Sequence, residues 1–470
     1  MGCCFMVSIM VLLAKIKLEA ILMRIAALFP HPPLIIPGVG GGDEVPDTRA
    51  ACRRMADEIC AFEPDTIVIL SPHSVLYGDY FHISPGQKAS GSFAGFRAPQ
   101  VRFEVDYDSE LATQIGEIAR ENGIEAGFEG ERDPSLDHGT MVPLYYLCES
   151  NEKKHVSDMC YHLESRRIVR LSLSGLDLAT HYRYGRCIRM AAERLGRKVA
   201  LVASGDMSHK LKSDGPYGFC REGAEHDAYV RECLQTIDFK RLMGIDARVL
   251  DRAAECGFRS LITMAGYLDG VNVDGGVLSY EGPYGVGYLC ASFHGEEDAY
   301  VRLARRNVEH FVQTGREMEL PGDLPGEMMT ARAGIFVSIK SDGKLPAEEL
   351  RGCIGTIAPT CDCIADEIIQ NGISAASHDP RFAPITPTEL ASLSFSVDVL
   401  KEPETIDSID KLDVKKYGVI VTLGRRRGLL LPNLEGIDDA ETQVSIAARK
   451  GGIGLDEPYE LERFEVRRHK

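Results

Sequence analysis

Two histidines stand just beyond two short apolar runs. His31 lies in Pro30-His31-Pro32-Pro33 after the run 23–29, and His73 lies in Ser71-Pro72-His73-Ser74 after the run 66–70. Imidazole is a common transition-metal ligand and titrates near neutral pH, so two rings delivered to one edge of a sheet make half of a metal site. Further segments offer polar groups in loops: Asp137-His138-Gly139, Asp206-Met207-Ser208-His209 and Glu255-Cys256-Gly257. The glycine-rich stretch 282–287 reads as a floor for the site. Two histidines and one carboxylate, with coordination positions left open, hold non-haem Fe(II) for oxygen chemistry. On this reading His31, His73 and Glu255 are the ligands, and His138 and His209 are left for proton transfer. Each residue also has an ordinary reading. A loop histidine is commonly a hydrogen-bonded surface residue, Glu255 a helix-end carboxylate, Cys256 a buried thiol, and Asp206 and His209 caps of the next helix. The case rests on the combination.

The elements that must position these residues alternate between strand and helix. The runs 23–29, 66–70, 168–173 and 198–203 are apolar and rich in β-formers, as buried strands are. Between and after them, 48–62, 108–122, 177–195, 222–234 and 258–268 read as helices, with Asp177 as an N-cap and Gly123 in a C-cap place. Segments 277–280 and 286–293 read as closing strands. This order predicts an α/β unit over 23–294, with a largely parallel or mixed sheet covered by helices. In such sheets ligands bind beyond the carboxyl ends of the strands, where His31, His73 and 204–209 fall.

A break follows at 295–297, and 297–470 reads as a second, α+β unit. Its expected elements are a helix over 299–314, a turn-rich stretch 321–326, a strand over 334–340, the segment 350–356, a helix over 361–370, strands over 393–400 and 418–424, and a helix over 439–449. Here the sharpest motif is Leu350-Arg351-Gly352-Cys353-Ile354-Gly355-Thr356, in which the cation of Arg351 stands near the thiol of Cys353. Ser377-His378-Asp379-Pro380-Arg381-Phe382 offers a second polar cluster, and 428–432 an apolar strand and turn. Cys353 also reads as a small core residue.

Length and composition bound the rest. At 470 residues, 26% charged and 44% hydrophobic, the chain has room for two or three ordinary globular domains. A net charge of −17 argues against non-specific nucleic-acid binding, and the one basic run, 425–427, is short and expected in a turn. The 14 cysteines form no CxxC pair and are scattered through apolar and helical stretches, which fits reduced thiols in a cytosolic protein. Residues 1–22 are apolar but are interrupted by Lys15, Lys17 and Glu19, too short a run to span a membrane. They read as a mis-assigned extension before a true start at Met23; the other reading is a membrane-associated leader.

Taken in order, the His31, His73, Leu136-Asp137-His138-Gly139, Ser204–His209 and Glu255-Cys256-Gly257 segments resemble the class III extradiol dioxygenase (LigB-type) superfamily, and within it the Memo-like branch. The resemblance implies Fe(II) held by His31, His73 and Glu255, with His138 lining the substrate pocket and His209 as acid/base. It also implies cleavage of a catechol-like, metal-chelating aromatic ring by O₂. Memo-like proteins carry a cysteine where the dioxygenases carry glutamate, and here Glu255 and Cys256 are adjacent. In an extended segment only one of them faces the metal; Glu255 is the expected ligand and Cys256 the alternative.

The LRGCIGT stretch, with Asp379-Pro380-Arg381-Phe382 and 428–432, resembles the AMMECR family over 297–470, and Arg351, Cys353, Asp379 and Arg381 are its candidate functional residues. The two-domain order resembles AmmeMemoRadiSam systems, which implies a radical-SAM partner protein; no iron–sulfur cysteine pattern occurs in this chain. Three functions follow as expectations: an iron-dependent dioxygenase, a Zn(II)-dependent hydrolase on the same scaffold, or a metal-binding partner without an activity of its own. The sequence leaves room for a homo-oligomer.

Overall fold

The computed structural model of the protein describes residues 23–39, 44–151, 160–163, 166–344, 347–434 and 436–470. The expectations for residues 1–22 lie outside the described residues. The chain divides into two compact units, with the main boundary between Glu297 and Asp298.

The first unit is built on a six-stranded sheet. Its strands are β1 (Met23–Phe29), β2 (Thr66–Ser71), β3 (Arg167–Ser172), β4 (Val199–Ser204), β5 (Asn272–Glu281) and β6 (Tyr288–Glu296). They lie in the order β5-β6-β1-β4-β2-β3. The four strands from β1 to β3 are mutually parallel, and β6 and β5 close the other edge antiparallel. Successive residues of a strand face opposite sides. Ile25, Ala27, Phe29, Ile67 and Ile69 join one core with helices α1 (Pro46–Phe62) and α3 (His138–Asn151). The alternate residues Ala26, Leu28, Val68 and Leu70 are equally buried on the other face. Burial on both faces is why these strands read as unbroken apolar runs.

Helix α2 (Ser109–Glu121) begins at Asp108, which accepts from the Leu111 N–H, and ends ahead of Gly123 at φ 72°. Asp177 caps α4 (Leu178–Leu195) in the same way through Thr180. Helices α5 (Arg221–Gln235), α6 (Ala247–Ala253) and α7 (Phe258–Tyr267) follow β4, and α7 packs on both α4 and β4.

Register sets the site. Phe29 pairs with Ser204, Leu70 with Ala203, and Ser71 with Ser172, so the carboxyl ends of β1, β4 and β2 finish nearly level. His31, Asp206 and His73 each lie two residues past the end of their strand, so the three loops open on the same edge.

The second unit has two four-stranded sheets. One has the order β8 (Ala347–Gly355), β7 (Ile335–Lys344), β9 (Leu393–Leu400), β14 (Val466–His469). The other has the order β10 (Glu404–Ile406), β13 (Glu460–Phe464), β11 (Gly418–Leu423), β12 (Arg426–Leu430). Helices α8 (Ala299–Thr314) and α10 (Ile364–Ser377) pack on each other, α9 (Gly326–Thr330) packs on α10, and α11 (Ala440–Lys450) covers β11 and β12. Two local expectations are corrected. Helix α10 starts three residues later and runs to Ser377. Arg426 and Arg427 open a strand, because each is paired across the sheet region with an acid, Glu457 and Glu462 respectively. Among the described residues no helix is long and apolar enough to cross a membrane.

Candidate metal centre

Three side chains from three different loops converge at the strand ends. His31 Nε2 and His73 Nε2 are 3.0 Å apart, and Cys256 Sγ is 3.4 Å from His31 Nε2. One ligand atom from each residue lies within 4.8 Å of the other two. Two imidazoles and a thiol fit a transition ion such as Fe(II), Zn(II) or Cu(I) better than a hard cation.

The third member corrects the expected ligand set. Glu255 does not face the histidines. Its Oε2 accepts the backbone N–H of Phe258 at 2.5 Å, satisfying one of the orphan donors at the start of α7. Neighbours in this segment do face opposite ways, and it is Cys256 that turns inward. The cause is a close crossing of two backbones. A Cβ on Gly205 would stand 2.0 Å from the Gly257 Cα, so only glycine permits the approach. The Cys256 and Gly257 N–H groups both donate to Asp206 O, and the Asp206 N–H donates to Cys256 Sγ at 3.2 Å.

His31 is oriented by a chain that begins at Pro143. A proline inside a helix removes the N–H that would bond the carbonyl four residues earlier, here Gly139. Ser204 Oγ supplies the missing donor at 2.5 Å. With its proton so placed, that oxygen accepts from His31 Nδ1–H at 2.9 Å, and the lone pair of His31 Nε2 is left facing His73 and Cys256. The His31 backbone N–H donates to Asp206 Oδ1 at 3.0 Å. A Cβ on Gly139 would stand 2.5 Å from Ser71 Oγ and 3.4 Å from His31 Nδ1, so a side chain here would push the Ser71 hydroxyl off Asp137.

His73 and His138 share a second support. Ser71 Oγ donates to Asp137 Oδ1 at 2.5 Å and accepts the His73 N–H at 3.3 Å. Asp137 also caps the start of α3 through Thr140, and Arg170 stands 3.7 Å from its carboxylate. The rings of His73 and His138 lie 4.0 Å apart, and Phe96 meets His138 edge-on at 5.4 Å. His209 Nε2 is 3.8 Å from Cys256 Sγ, and Tyr217 lies over its ring at 5.1 Å.

Electrostatics favour ligand-ready rings. Burial, reinforced by His73, His138 and His209, holds His31 well below its usual pKa. Burial, with His73 second, lowers His138 to about 4 and also lowers His209. His73 is lowered by burial, against the pull of Asp137. These imidazoles are neutral near pH 7, the form that binds metal. Burial pushes Asp206 up to about 7, against the His31 N–H, and pushes the Cys256 thiol well up, with Asp206 adding to it. A bound cation reverses the balance at a ligating thiol and deprotonates it.

His31, His73, His138, Asp206, His209 and Cys256 are thus brought together, and Glu255 is beside them with its carboxylate turned away. Ser204, Ser71 and Pro143 were missed by sequence reasoning. The signal for Ser204 was its place at the last position of an apolar strand, opposite Phe29.

In the second unit, Cys353, Asp379 and Arg381 come together and Arg351 does not. The Arg351 guanidinium bonds the carbonyls of Ala383 and Pro384. Arg381 grips Asp379 through Nε at 2.9 Å and Nη2 at 2.6 Å, and Asp379 accepts the Cys353 N–H at 2.9 Å. These contacts hold the Asp379 carboxyl at about 2, with Arg381 the leading cause.

Known proteins resemble both units of the chain. The family model for the catalytic LigB subunit of aromatic ring-opening dioxygenase matches residues 25–291, and that for AMMECR1 matches 301–469. Protein CA_C1420 of Clostridium acetobutylicum is 37% identical over 486 residues, covering 94% of this chain and 98% of that protein. A protein of Thermotoga maritima is 47% identical over 176 residues, 37% of this chain and 98% of its own length. Among solved structures, uncharacterized protein JW3007 from Escherichia coli K12 aligns at 18% identity and a TM-score of 0.35, covering 57% of this chain and 99% of its own. Uncharacterized protein PH0010 from Pyrococcus horikoshii aligns at 33% identity and 0.33, covering 36% and 88%. The chain therefore belongs, through residues 25–291, to the family of catalytic LigB subunits of aromatic ring-opening dioxygenases, and it carries an AMMECR1 domain after the LigB domain.

Proposed function

We propose that the first unit is a metal-dependent oxidoreductase of the ring-cleaving type, with Fe(II) held by His31, His73 and Cys256 and a small metal-chelating aromatic as substrate. The observation that carries this reading is the convergence of the two Nε2 atoms and the Sγ atom on one point, with Ser204 fixing the His31 tautomer. An Fe(II) ion with open positions supplies a place where a diol and dioxygen meet. The remaining roles belong to the chain's own side chains. His209 Nε2, neutral because it is buried, accepts a proton from a substrate hydroxyl. His138, held neutral and tilted against the His73 ring, lines the site beside it. Phe96 (42% exposed) and Tyr217 (59% exposed) lie against these two histidines and give an aromatic ring apolar surface to pack on.

Anaerobic purification, metal analysis and oxygen uptake with a panel of catechols test this reading. Oxygen consumed in step with diol supports it, and His209→Ala should keep the metal and lose turnover by about 10²-fold or more. A fully loaded protein that takes up no oxygen with any diol overturns it. Cys256 favours a second reading in that case. A thiolate with two imidazoles suits Zn(II) or Cu(I) as well, so the unit would serve as a hydrolytic or metal-binding centre working beside a radical-SAM partner.

A further inference from the structure

The loop that follows β4 carries His209, and its backbone is held along its whole length. Every N–H from Gly205 to Leu211 has an acceptor, a backbone carbonyl for most of them. Asp227 supplies the one carboxylate among these acceptors. Its Oδ1 takes the N–H of Ser208 at 2.9 Å, and Ser208 is the residue immediately before His209. The Ser208 hydroxyl donates to Ala253 O at 2.9 Å, and the His209 N–H goes to the same carbonyl at 3.2 Å.

Asp227 lies on α5 and is buried, and no lysine or arginine among the described residues pairs with it. Its oxygens are met by three donors: Ser208 N–H, His226 Nδ1–H at 2.8 Å, and Tyr280 Oη at 2.7 Å from β5. Arg231 covers the Tyr280 ring at 4.6 Å. A Cβ on Gly287 would stand 2.3 Å from Asp227 Oδ2, so the chain carries no side chain where the carboxylate passes. This cluster costs stability. A carboxyl group buried without a cation is expensive, and His226 Nε2, buried beside it, bonds no described group. An apolar residue at 227 would avoid that cost but could not hold the Ser208 N–H. From Ser208 the chain turns directly into His209, whose Nε2 lies 3.8 Å from Cys256 Sγ.

We propose that Asp227 is a positioning residue for His209, with Tyr280 holding the carboxylate in place. Through the Ser208 N–H it keeps the imidazole beside Cys256 at the metal centre. The catalytic value of this anchor rests on His209 being the proton acceptor proposed above; the anchoring itself does not.

Labelling with diethyl pyrocarbonate and turnover of catechol, both on the metal-loaded full-length chain, test this role. Peptide mass spectrometry follows His209, with His138 and His294 as references. Asp227→Ala should raise labelling at His209 about tenfold, the low end for a lost hydrogen bond to a charged group. The references and the metal content should stay unchanged. Asp227→Asn keeps an oxygen for the Ser208 N–H and should restore slow labelling. Tyr280→Phe removes one neutral donor and should give a smaller rise confined to His209, so the outcome does not depend on how Asp227→Ala folds. Turnover should follow the labelling: kcat falls about tenfold in Asp227→Ala with KM for catechol little changed, and recovers in Asp227→Asn. Labelling of His209 unmoved in both Asp227→Ala and Tyr280→Phe, or a rise shared equally by His138 and His294, overturns the proposal. If the wild-type chain consumes no oxygen with catechol, ring cleavage of that substrate falls, and the labelling still decides whether Asp227 holds His209.

Discussion

Cys256 and Glu255 are adjacent in the chain and face opposite ways. The thiol lies 3.4 Å from His31 Nε2, while the carboxylate holds the first N–H of α7 at 2.5 Å. Substitutions at the two positions should therefore separate. Cys256→Ala is expected to abolish metal binding with little change in stability. Glu255→Ala is expected to keep the metal and cost about 1 kcal/mol, the usual loss of a helix-start contact. Metal content by mass spectrometry and thermal melts of the metal-free proteins distinguish the two.

Ser204 should matter for metal affinity although it touches no metal. Ser204→Ala removes the acceptor for His31 Nδ1–H and leaves the tautomer unfixed, so affinity should fall about 10- to 100-fold, as for other outer partners of ligating histidines. Pro143→Ala restores an in-helix donor for Gly139 O and frees the Ser204 hydroxyl to rotate. A smaller loss in the same direction is expected. Competition with a chromophoric chelator measures both, and unchanged affinity in Ser204→Ala would show that another contact sets the ring.

Acid stability of the first unit should carry the mark of Asp269. This buried carboxyl bonds Tyr182 Oη at 2.6 Å and pairs with Arg186 at 2.6 Å. Burial alone would raise its pKa, but Arg186, followed by Lys240 and Tyr182, outweighs that and brings it down to about 2 from 3.8. A folded-state value below the unfolded one means stability that is present above about pH 4 and lost as pH falls through about 2. The contribution is on the order of 2 kcal/mol. Denaturant melts between pH 2 and 6 should show this slope in wild type and a shallower one in Asp269→Asn.

Much of this architecture was legible in the sequence, for a physical reason. Parallel strands buried on both faces must be apolar throughout, so β1, β2 and β4 announce themselves, and Asp108, Asp177 and Asp439 mark helix starts. Helix α3 did not. Its residues from Gly139 to Cys148 are buried on every side, so no 3.6-residue period survives, and Pro143 reads as a breaker. The choice between Glu255 and Cys256 was also hidden. It depends on the crossing of Gly205 over Gly257, a contact between distant loops. The same holds for Cys353. Sequence proximity named Arg351 as its cation, whereas the guanidinium that bonds the Cys353 backbone carbonyl comes from Arg381, 28 residues further on.

The most direct test of the central claim is X-ray absorption on the anaerobically reconstituted full-length chain, with Cys256→Ser and Glu255→Gln alongside. The wild-type ion should show one sulfur neighbour at about 2.3 Å together with two imidazoles. The sulfur should vanish in Cys256→Ser and persist in Glu255→Gln. A shell of nitrogen and oxygen alone in the wild type, altered by Glu255→Gln and indifferent to Cys256→Ser, would contradict the account.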